Sequence, residues 1–168
     1  MPLKTELTIR LRPTLTKVLG GQTLSEMPEF FRALTLLTGV VLNQADKLYY
    51  SKPTIAGSAT LTLDLIGGGL VDVYGDAFGP ARLKVILVNS DLAVCPNTIN
   101  LVRPATNGAP IFLAAGDGEP IRPGGGKCWW APDATGVLLT AGTGDLIDLV
   151  NTAGGNVQPD VYLIGASA

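Results

Sequence analysis

One glycine-rich segment of the sequence invites comparison with a phosphate-binding loop. Residues 124–127 read Gly-Gly-Gly-Lys, and such loops hold phosphate oxygens with backbone N–H groups and a lysine. They also need a glycine five residues before the Gly-Lys pair and a hydroxyl after the lysine. Ile121 and Cys128 occupy those two positions. We therefore interpret the segment as a tight turn that leads into a strand.

Pairs of carboxylates are the other residues whose types could carry chemistry. Asp117 and Glu119 lie on a glycine-rich loop, but calcium requires more oxygen ligands than this loop supplies. Asp145 and Asp148 lie on one predicted strand. Side chains three residues apart on a strand point to opposite faces, so this pair is not placed to act as acid and base. We expect no metal at either pair.

Composition excludes most of the remaining catalytic chemistry. The 168 residues contain no histidine, which rules out a Ser-His-Asp triad, a Cys-His pair and a histidine-ligated metal. The net charge is −2, so the sequence lacks the excess of positive charge that is typical of proteins that bind nucleic acid or an anionic membrane. Cys95 and Cys128 could pair, but we favour two small core residues. We expect a protein that is not an enzyme and has no cofactor.

The elements that must position any site are mostly strands. Over residues 1–12 apolar and polar residues alternate, which predicts a half-buried strand. From Val40 onward the sequence predicts short strands separated by turns rich in Gly and Pro, including a hairpin of residues 136–140 and 145–150. We therefore expect a mainly β protein, with a β-sandwich or jelly-roll-like domain over residues 43–168.

One segment near the N-terminus, residues 23–38, predicts a helix. Thr23 and Glu26 have the spacing of a capping box, and Pro28 suits a first helical turn. An apolar stripe at helical spacing follows, formed by Met27, Phe30, Phe31, Leu34 and Leu37. Residues 1–42 are thus predicted to form an arm of one strand and one short amphipathic helix. The helix would cover a sheet of its own chain or dock on a partner.

Trp129 and Trp130 form the largest concentration of aromatic area in the chain. Because neighbouring side chains of a strand face opposite sides, we expect one ring in the core and the other under a loop or at the surface. An exposed Trp suits a subunit interface or a sugar platform, and we favour the interface. The candidate interface residues are Leu7, Ile9, Leu11, Phe30, Phe31, Leu34, Trp129 and Trp130.

Turn-and-strand signatures over residues 46–168 resemble those of a known class of proteins. They occupy, in this order, residues 59–72, 78–86, 121–126, 131–136, 140–145 and 162–165. Among them are the Ile-Arg-Pro-Gly-Gly-Gly and Ala-Pro-Asp-Ala-Thr-Gly segments. The set resembles small β-rich virion proteins of tailed bacteriophages.

The resemblance implies an accessory structural component of the virion, made in the host cytoplasm. It leads us to expect a capsid decoration (cement) protein that binds the major capsid protein as a homotrimer, without nucleic acid or membrane. Residues 3–12 would pair with an edge strand outside the chain, while Phe30, Phe31 and Leu34 pack within the trimer or on the shell. The alternatives are a tail-associated protein (adaptor, tube or fibre base) and a glycan-binding surface module.

Overall fold

The computed structural model describes residues 2–168, apart from the side chain of Leu24, and in this range the fold is all-β. The mainly β prediction is confirmed. Met1, the first residue of the predicted arm, lies outside the described residues. The strands are β1 (Thr5–Leu11), β2 (Leu15–Leu19), β3 (Gln22–Glu26), β4 (Phe30–Leu36), β5 (Lys47–Ser51), β6 (Thr60–Asp64), β7 (Arg82–Asn89), β8 (Ile99–Val102), β9 (Gly118–Ile121), β10 (Gly126–Trp130), β11 (Val137–Leu138), β12 (Leu146–Asn151) and β13 (Asp160–Ala166).

Two antiparallel sheets form the body of the protein. In the five-stranded sheet the order is β10-β7-β13-β5, with β11 also paired to β7, and in the four-stranded sheet the order is β6-β12-β8-β9. One hydrophobic cluster draws side chains from both sheets, for example Val88 and Leu163 from the first and Ile99 and Leu149 from the second. Burial of this shared cluster is the main apolar contribution to the stability of the body.

The first four strands form one long antiparallel hairpin, which we call the arm. β1 pairs with β4, and β2 pairs with β3. The same register runs through both ladders, because Leu11 faces Phe30 in the first and Leu15 faces Glu26 in the second. That register places Pro13 opposite Pro28 in the gap between them. Since proline has no N–H to donate, the two prolines interrupt the ladder without changing its alignment.

Gly20 and Gly21 form the turn at the tip of the arm, and the turn closes it with two residues. Their φ angles are +56° and +83°. Positive φ at both central positions is the requirement of a type I′ turn, whose twist matches that of the flanking strands. Glycine adopts this conformation without the clash that a Cβ would cause. The Gly-Gly pair therefore sets the register of the whole arm.

The predicted helix over residues 23–38 is wrong, because no helix occurs in the described part of the chain. β1 needs a hydrogen-bonding partner along its length, and the Gly-Gly turn returns residues 22–36 alongside it. The segment also contains Thr23, Thr35 and two phenylalanines, which fit a pleated surface well. β1 consequently pairs with β4 along one edge, and the pairing of residues 3–12 with a strand outside the chain stays a prediction for the other edge.

The predicted hairpin of residues 136–140 and 145–150 is also wrong. β11 pairs with β7, whereas β12 lies between β6 and β8 in the other sheet. Only an isolated bridge between Thr140 and Gly144 remains of the hairpin. Asp145 accepts a hydrogen bond from the N–H of Gly142 (2.8 Å), which closes the turn on itself. The two flanking segments are therefore free to enter different sheets.

The base of the arm, or its root, packs on the five-stranded sheet through a second hydrophobic cluster. Leu34 and Leu36 are buried there against Val85 and Ile164. Val85 and Ile164 lie on the face of the sheet opposite to the shared core. A reciprocal pair of hydrogen bonds adds to the attachment, because Leu3 N–H donates to Thr38 Oγ1 (2.6 Å) and Thr38 Oγ1 donates to the Leu3 carbonyl (2.8 Å). The arm thus leaves the body from a fixed position.

Candidate functional site

Beyond its root, the arm carries large apolar side chains that contact little else. We call them the apolar arm surface: Leu11, Leu15, Val18, Leu19, Met27, Phe30 and Phe31, each between 50% and 69% exposed. In the described chain β2 and β3 pair only with each other. By the register of the arm, Leu11, Leu15, Leu19 and Phe30 lie on one face of the hairpin, and Val18, Met27 and Phe31 lie on the other. Isolated exposed apolar residues are ordinary, but seven of them on one hairpin are typical of an interaction site. The arm is therefore the first candidate for function.

The six predicted interface residues of the N-terminal segment are divided between the root and the exposed arm. Leu7 and Leu34 form a cross-strand pair in the second cluster, so they fasten the root. Leu11 and Phe30 form another cross-strand pair, but both are exposed. Ile9 is half-buried between these pairs and lies opposite Arg32, and Phe31 is exposed opposite Arg10. The exposed members remain available for contacts outside the chain.

Trp129 and Trp130 belong to the body and lie on opposite faces of β10, as strand alternation predicts. Trp129 packs against the shared core, whereas Trp130 packs against the second cluster at the arm root. Both are half-buried. Leu7, Leu34 and Trp130 are therefore brought together, while Trp129 lies on the other side of the sheet. Both rings already have substantial contacts within the chain.

Charge is distributed unequally between the arm and the body. Residues 8–33 contain four Lys and Arg residues and two acidic residues, whereas residues 38–168 contain seven basic and eleven acidic residues. One contact reduces the charge of the arm locally, since Arg10 Nε lies 2.8 Å from Glu29 Oε1. The exposed arm is thus basic, and the rest of the molecule is acidic.

A cleft of about 640 Å³ lies beside the arm root, and we call it the root cleft. Its walls come from the start and end of the arm, the edge strand β5 and the loop of residues 71–77; its lining residues include Leu3, Thr38, Asp46, Lys47, Asp72, Val73, Tyr74 and Asp76. Val73 and Tyr74 are 67% and 73% exposed. The cleft therefore combines exposed apolar groups with carboxylates.

Hydrogen bonds hold the loop of the root cleft in shape. Asp72 Oδ1 accepts the N–H groups of Tyr74 (2.8 Å) and Asp76 (3.0 Å), which fixes the turn. Lys47 Nζ donates to the carbonyl of Ala77 (3.1 Å), so its charge is directed at the loop backbone. Asp76 is exposed and its carboxylate receives none of these bonds. The loop presents Val73 and Tyr74 on a shaped turn.

A buried lysine, which sequence reasoning missed, ties β7 to the loop that follows β10. Lys84 is the extra residue of a β-bulge in β7, with no exposed surface. Its ammonium donates to the carbonyl of Asp133, and burial lowers the pKa of Lys84. Hydrogen bonds from the N–H groups of Gly136 and Thr135 lower the pKa of Asp133. A lysine within the apolar strand Arg82–Asn89 is the signal that could have revealed this contact.

The loop that Lys84 holds also contacts the segment behind the arm. Asn43 N–H donates to the carbonyl of Pro132 (2.8 Å), and Leu37 N–H donates to the carbonyl of Asn43 (3.0 Å). The segment between β4 and β5 is therefore hydrogen-bonded to the body at Asn43. This arrangement positions the arm without contributing to the apolar arm surface itself.

A polar cluster lies on the five-stranded sheet, on the face against which the arm root packs. Tyr50 and Tyr162 stack with ring centroids 4.4 Å apart. Asp160 accepts hydrogen bonds from Lys52 (2.8 Å), Asn89 (3.3 Å) and Tyr50 (3.3 Å). The contact with Lys52 is the main cause that lowers the pKa of Asp160. These residues join β5, β7 and β13, and sequence reasoning did not single them out.

Across residues 2–168, no group of three or more His, Cys, Asp or Glu side chains could hold a metal ion. Cys95 and Cys128 are free thiols, and burial raises the pKa of Cys128. In the same range no helix is long and apolar enough to cross a membrane. No protein-family model, curated protein or solved structure matches this chain.

Proposed function

We propose that this chain is a non-enzymatic structural protein of a tailed bacteriophage virion, most specifically a capsid decoration protein. The observation that carries the proposal is the apolar arm surface on a hairpin that is anchored firmly at its root. An exposed apolar patch of this kind is typical of a binding surface. The major capsid protein and further copies of this chain are the partners that we propose.

The proposed domain organisation divides the chain into an N-terminal part of residues 1–42, which contains the arm, and a body of residues 43–168. For the body we propose a β-sandwich of the jelly-roll kind, and the support is the hydrophobic cluster that its two sheets share. Such a body resists force through apolar burial and backbone pairing alone. A shell-stabilising protein needs no chemistry beyond this.

The arm can attach to a neighbour in two physical ways. Burial of its apolar side chains gives about 25 cal/mol for each Å² removed from water. In addition, β1 and β4 each have one edge without a partner strand in the described chain, and an exposed edge can add a strand from another chain. Contacts around a local threefold position close into a ring, so we propose a homotrimer.

Co-sedimentation with phage heads that lack this protein tests the proposal. The wild type is compared with a Leu11→Ser/Phe30→Ser variant, which changes an exposed pair on the arm, and with a Leu92→Ser/Leu138→Ser control on the body. We expect saturable binding by the wild type and the control, at regular positions when the heads are imaged. The arm variant should lose at least tenfold in affinity, because two apolar contacts become polar.

The other outcomes would overturn the decoration role. Binding to tails and not to heads would assign the chain to the tail-associated class. Absence from both, together with binding to a glycan, would make it a surface-recognition module. Equal binding by the arm variant and the control would show that the arm is not the attachment element.

A further inference from the structure

We infer that the tip of the arm of one copy binds in the root cleft of a second copy. This inference rests on the proposed structural function, and it adds which surface receives the arm. Each copy carries one arm and one root cleft, so the contact is head-to-tail. A head-to-tail contact generates a closed ring when the rotation between copies allows it.

Distance excludes the arm of the same chain from this cleft. From Thr5 to Leu19 the arm runs along β1 and β2 in one register. At about 3.3 Å per residue, these fifteen residues span about 50 Å. The root cleft lies at the start of that length, because Leu3 and Thr38 are part of its wall. A second molecule must therefore supply the tip.

The tip of the arm and the root cleft both expose apolar side chains. Leu15, Val18 and Leu19 at the tip are all at least half exposed, as are Val73 and Tyr74 at the cleft. Strands of a hairpin lie about 4.8 Å apart, and a cleft of about 640 Å³ can take several side chains from such a tip. Docking would remove both sets from water together.

Charge favours contact between arm and body over contact between two arms. The exposed arm carries Arg10, Arg12, Lys17 and Arg32, so two arms side by side would bring like charges together. The lining of the root cleft instead has three carboxylates beside two lysines. Asp46 accepts hydrogen bonds from Ser167, and Asp72 accepts them from the loop N–H groups, so the exposed Asp76 is the carboxylate left to meet a basic side chain. The two lysines have partners already, since Lys47 donates to Ala77 and Lys4 lies 2.6 Å from Glu6. Opposite potentials guide association and exclude the wrong arrangement.

Mixing two complementary variants tests the inference. The tip variant, Leu15→Ser/Val18→Ser, keeps an intact cleft, and the cleft variant, Val73→Ser/Tyr74→Ser, keeps an intact arm. We expect each alone to sediment as a single chain, while the equimolar mixture forms a one-to-one pair. A Leu92→Ser control, which changes a residue 65% exposed elsewhere on the body, should assemble like the wild type. Denaturant unfolding of every variant verifies that it is folded.

Three results would overturn the inference. Assembly of the cleft variant by itself would show that the arm binds elsewhere, and a mixture that stays as single chains would exclude head-to-tail exchange. A wild type that never self-associates would also overturn the inference. The proposed function has a separate test, which is the binding of the cleft variant to phage heads. If that variant fails to assemble with the tip variant but binds heads with wild-type affinity, the inference is wrong and the proposed function is supported.

A charge exchange provides a second, independent test. Lys17→Glu and Asp76→Lys should each weaken self-association about threefold, a size typical of exposed ion pairs. Combined in one chain, the two changes should restore the wild-type constant, because the pair is reversed and not lost. A double variant whose weakening is the product of the two single effects would contradict contact between these residues.

Discussion

The two ends of the arm share one backbone register but have opposite surroundings. At the root, Leu34 and Leu36 are buried against β7 and β13. At the tip, Leu15 and Leu19 are exposed although they belong to the same hairpin. An isolated two-stranded hairpin is marginal in water, so the root gains its order from the sheet beneath it. The apolar side chains of the tip have no such support within the chain.

This difference separates residues that maintain the fold from residues that are available for binding. A leucine at the root contributes to the stability of a single molecule, whereas a leucine at the tip contributes only when something covers it. Substitutions at the two ends should therefore affect different measurements.

Leu36→Ala at the root should lower the free energy of unfolding by about 2–5 kcal/mol, because it leaves a cavity in the second cluster. Leu15→Ala at the tip should change it by less than about 0.5 kcal/mol, while it weakens self-association. Denaturant unfolding and sedimentation of both variants measure the two effects. Equal losses of stability at the two sites would contradict the separation.

Lys84→Ala should lower the free energy of unfolding by about 2–3 kcal/mol, because it removes a buried side chain and its hydrogen bond to the Asp133 carbonyl. Lys84→Met should cost less, since it keeps most of the packing. The exposed Lys17→Ala on the arm serves as the matched control and should leave stability unchanged. Equal stability of Lys84→Ala and the wild type would show that the bulge does not need this contact.

Gly21→Ala at the tip should destabilise the arm by about 1 kcal/mol, because alanine is strained at its positive φ. The effect should be local: hydrogen exchange should accelerate in β2 and β3 and stay unchanged in β7 and β13. Gly154→Ala is the control, because its added Cβ meets no atom within 4 Å. Faster exchange throughout the body would mean that the arm and the body unfold as one unit.

Asp160→Asn should show the smallest effect, and one that depends on pH. The pKa of Asp160 is lowered in the folded protein, chiefly by Lys52, so the carboxylate stabilises the fold above its unfolded pKa. That contribution is lost as the pH falls through the folded pKa. The stability difference between wild type and variant should therefore be constant near neutrality and shrink in acid. A difference that does not change with pH would exclude this electrostatic cause.

The strands with clear alternation were predictable, and the partners of those strands were not. The apolar period of residues 1–12 appears in the structure as β1, and the short strands expected after Val40 appear from β5 onward. In residues 23–38, however, the apolar spacing fits a helix as well as a strand. The choice is made by a non-local effect, since the Gly-Gly turn places this segment beside β1.

The site was predictable only where exposure follows from local sequence. Leu11, Phe30 and Phe31 were singled out as interface residues and are exposed, although a strand presents the phenylalanines and not a helix. The root cleft could not be foreseen, because it joins residues near 3, 46 and 74 that come together only in three dimensions. The buried contact of Lys84 with Asp133 depends on a bulge, which alternation alone does not reveal.

The most direct measurement is sedimentation velocity of the wild type beside a Leu11→Ser/Leu15→Ser/Phe30→Ser/Phe31→Ser variant, with denaturant unfolding of the same two samples. If the arm is an assembly element on an independently stable body, the wild type will sediment as an oligomer and the variant as a single chain. At a dilution that dissociates the wild type, the two unfolding midpoints will agree, because association would otherwise stabilise the wild type. An oligomeric variant, or a wild type that remains a single chain, would contradict this role of the arm.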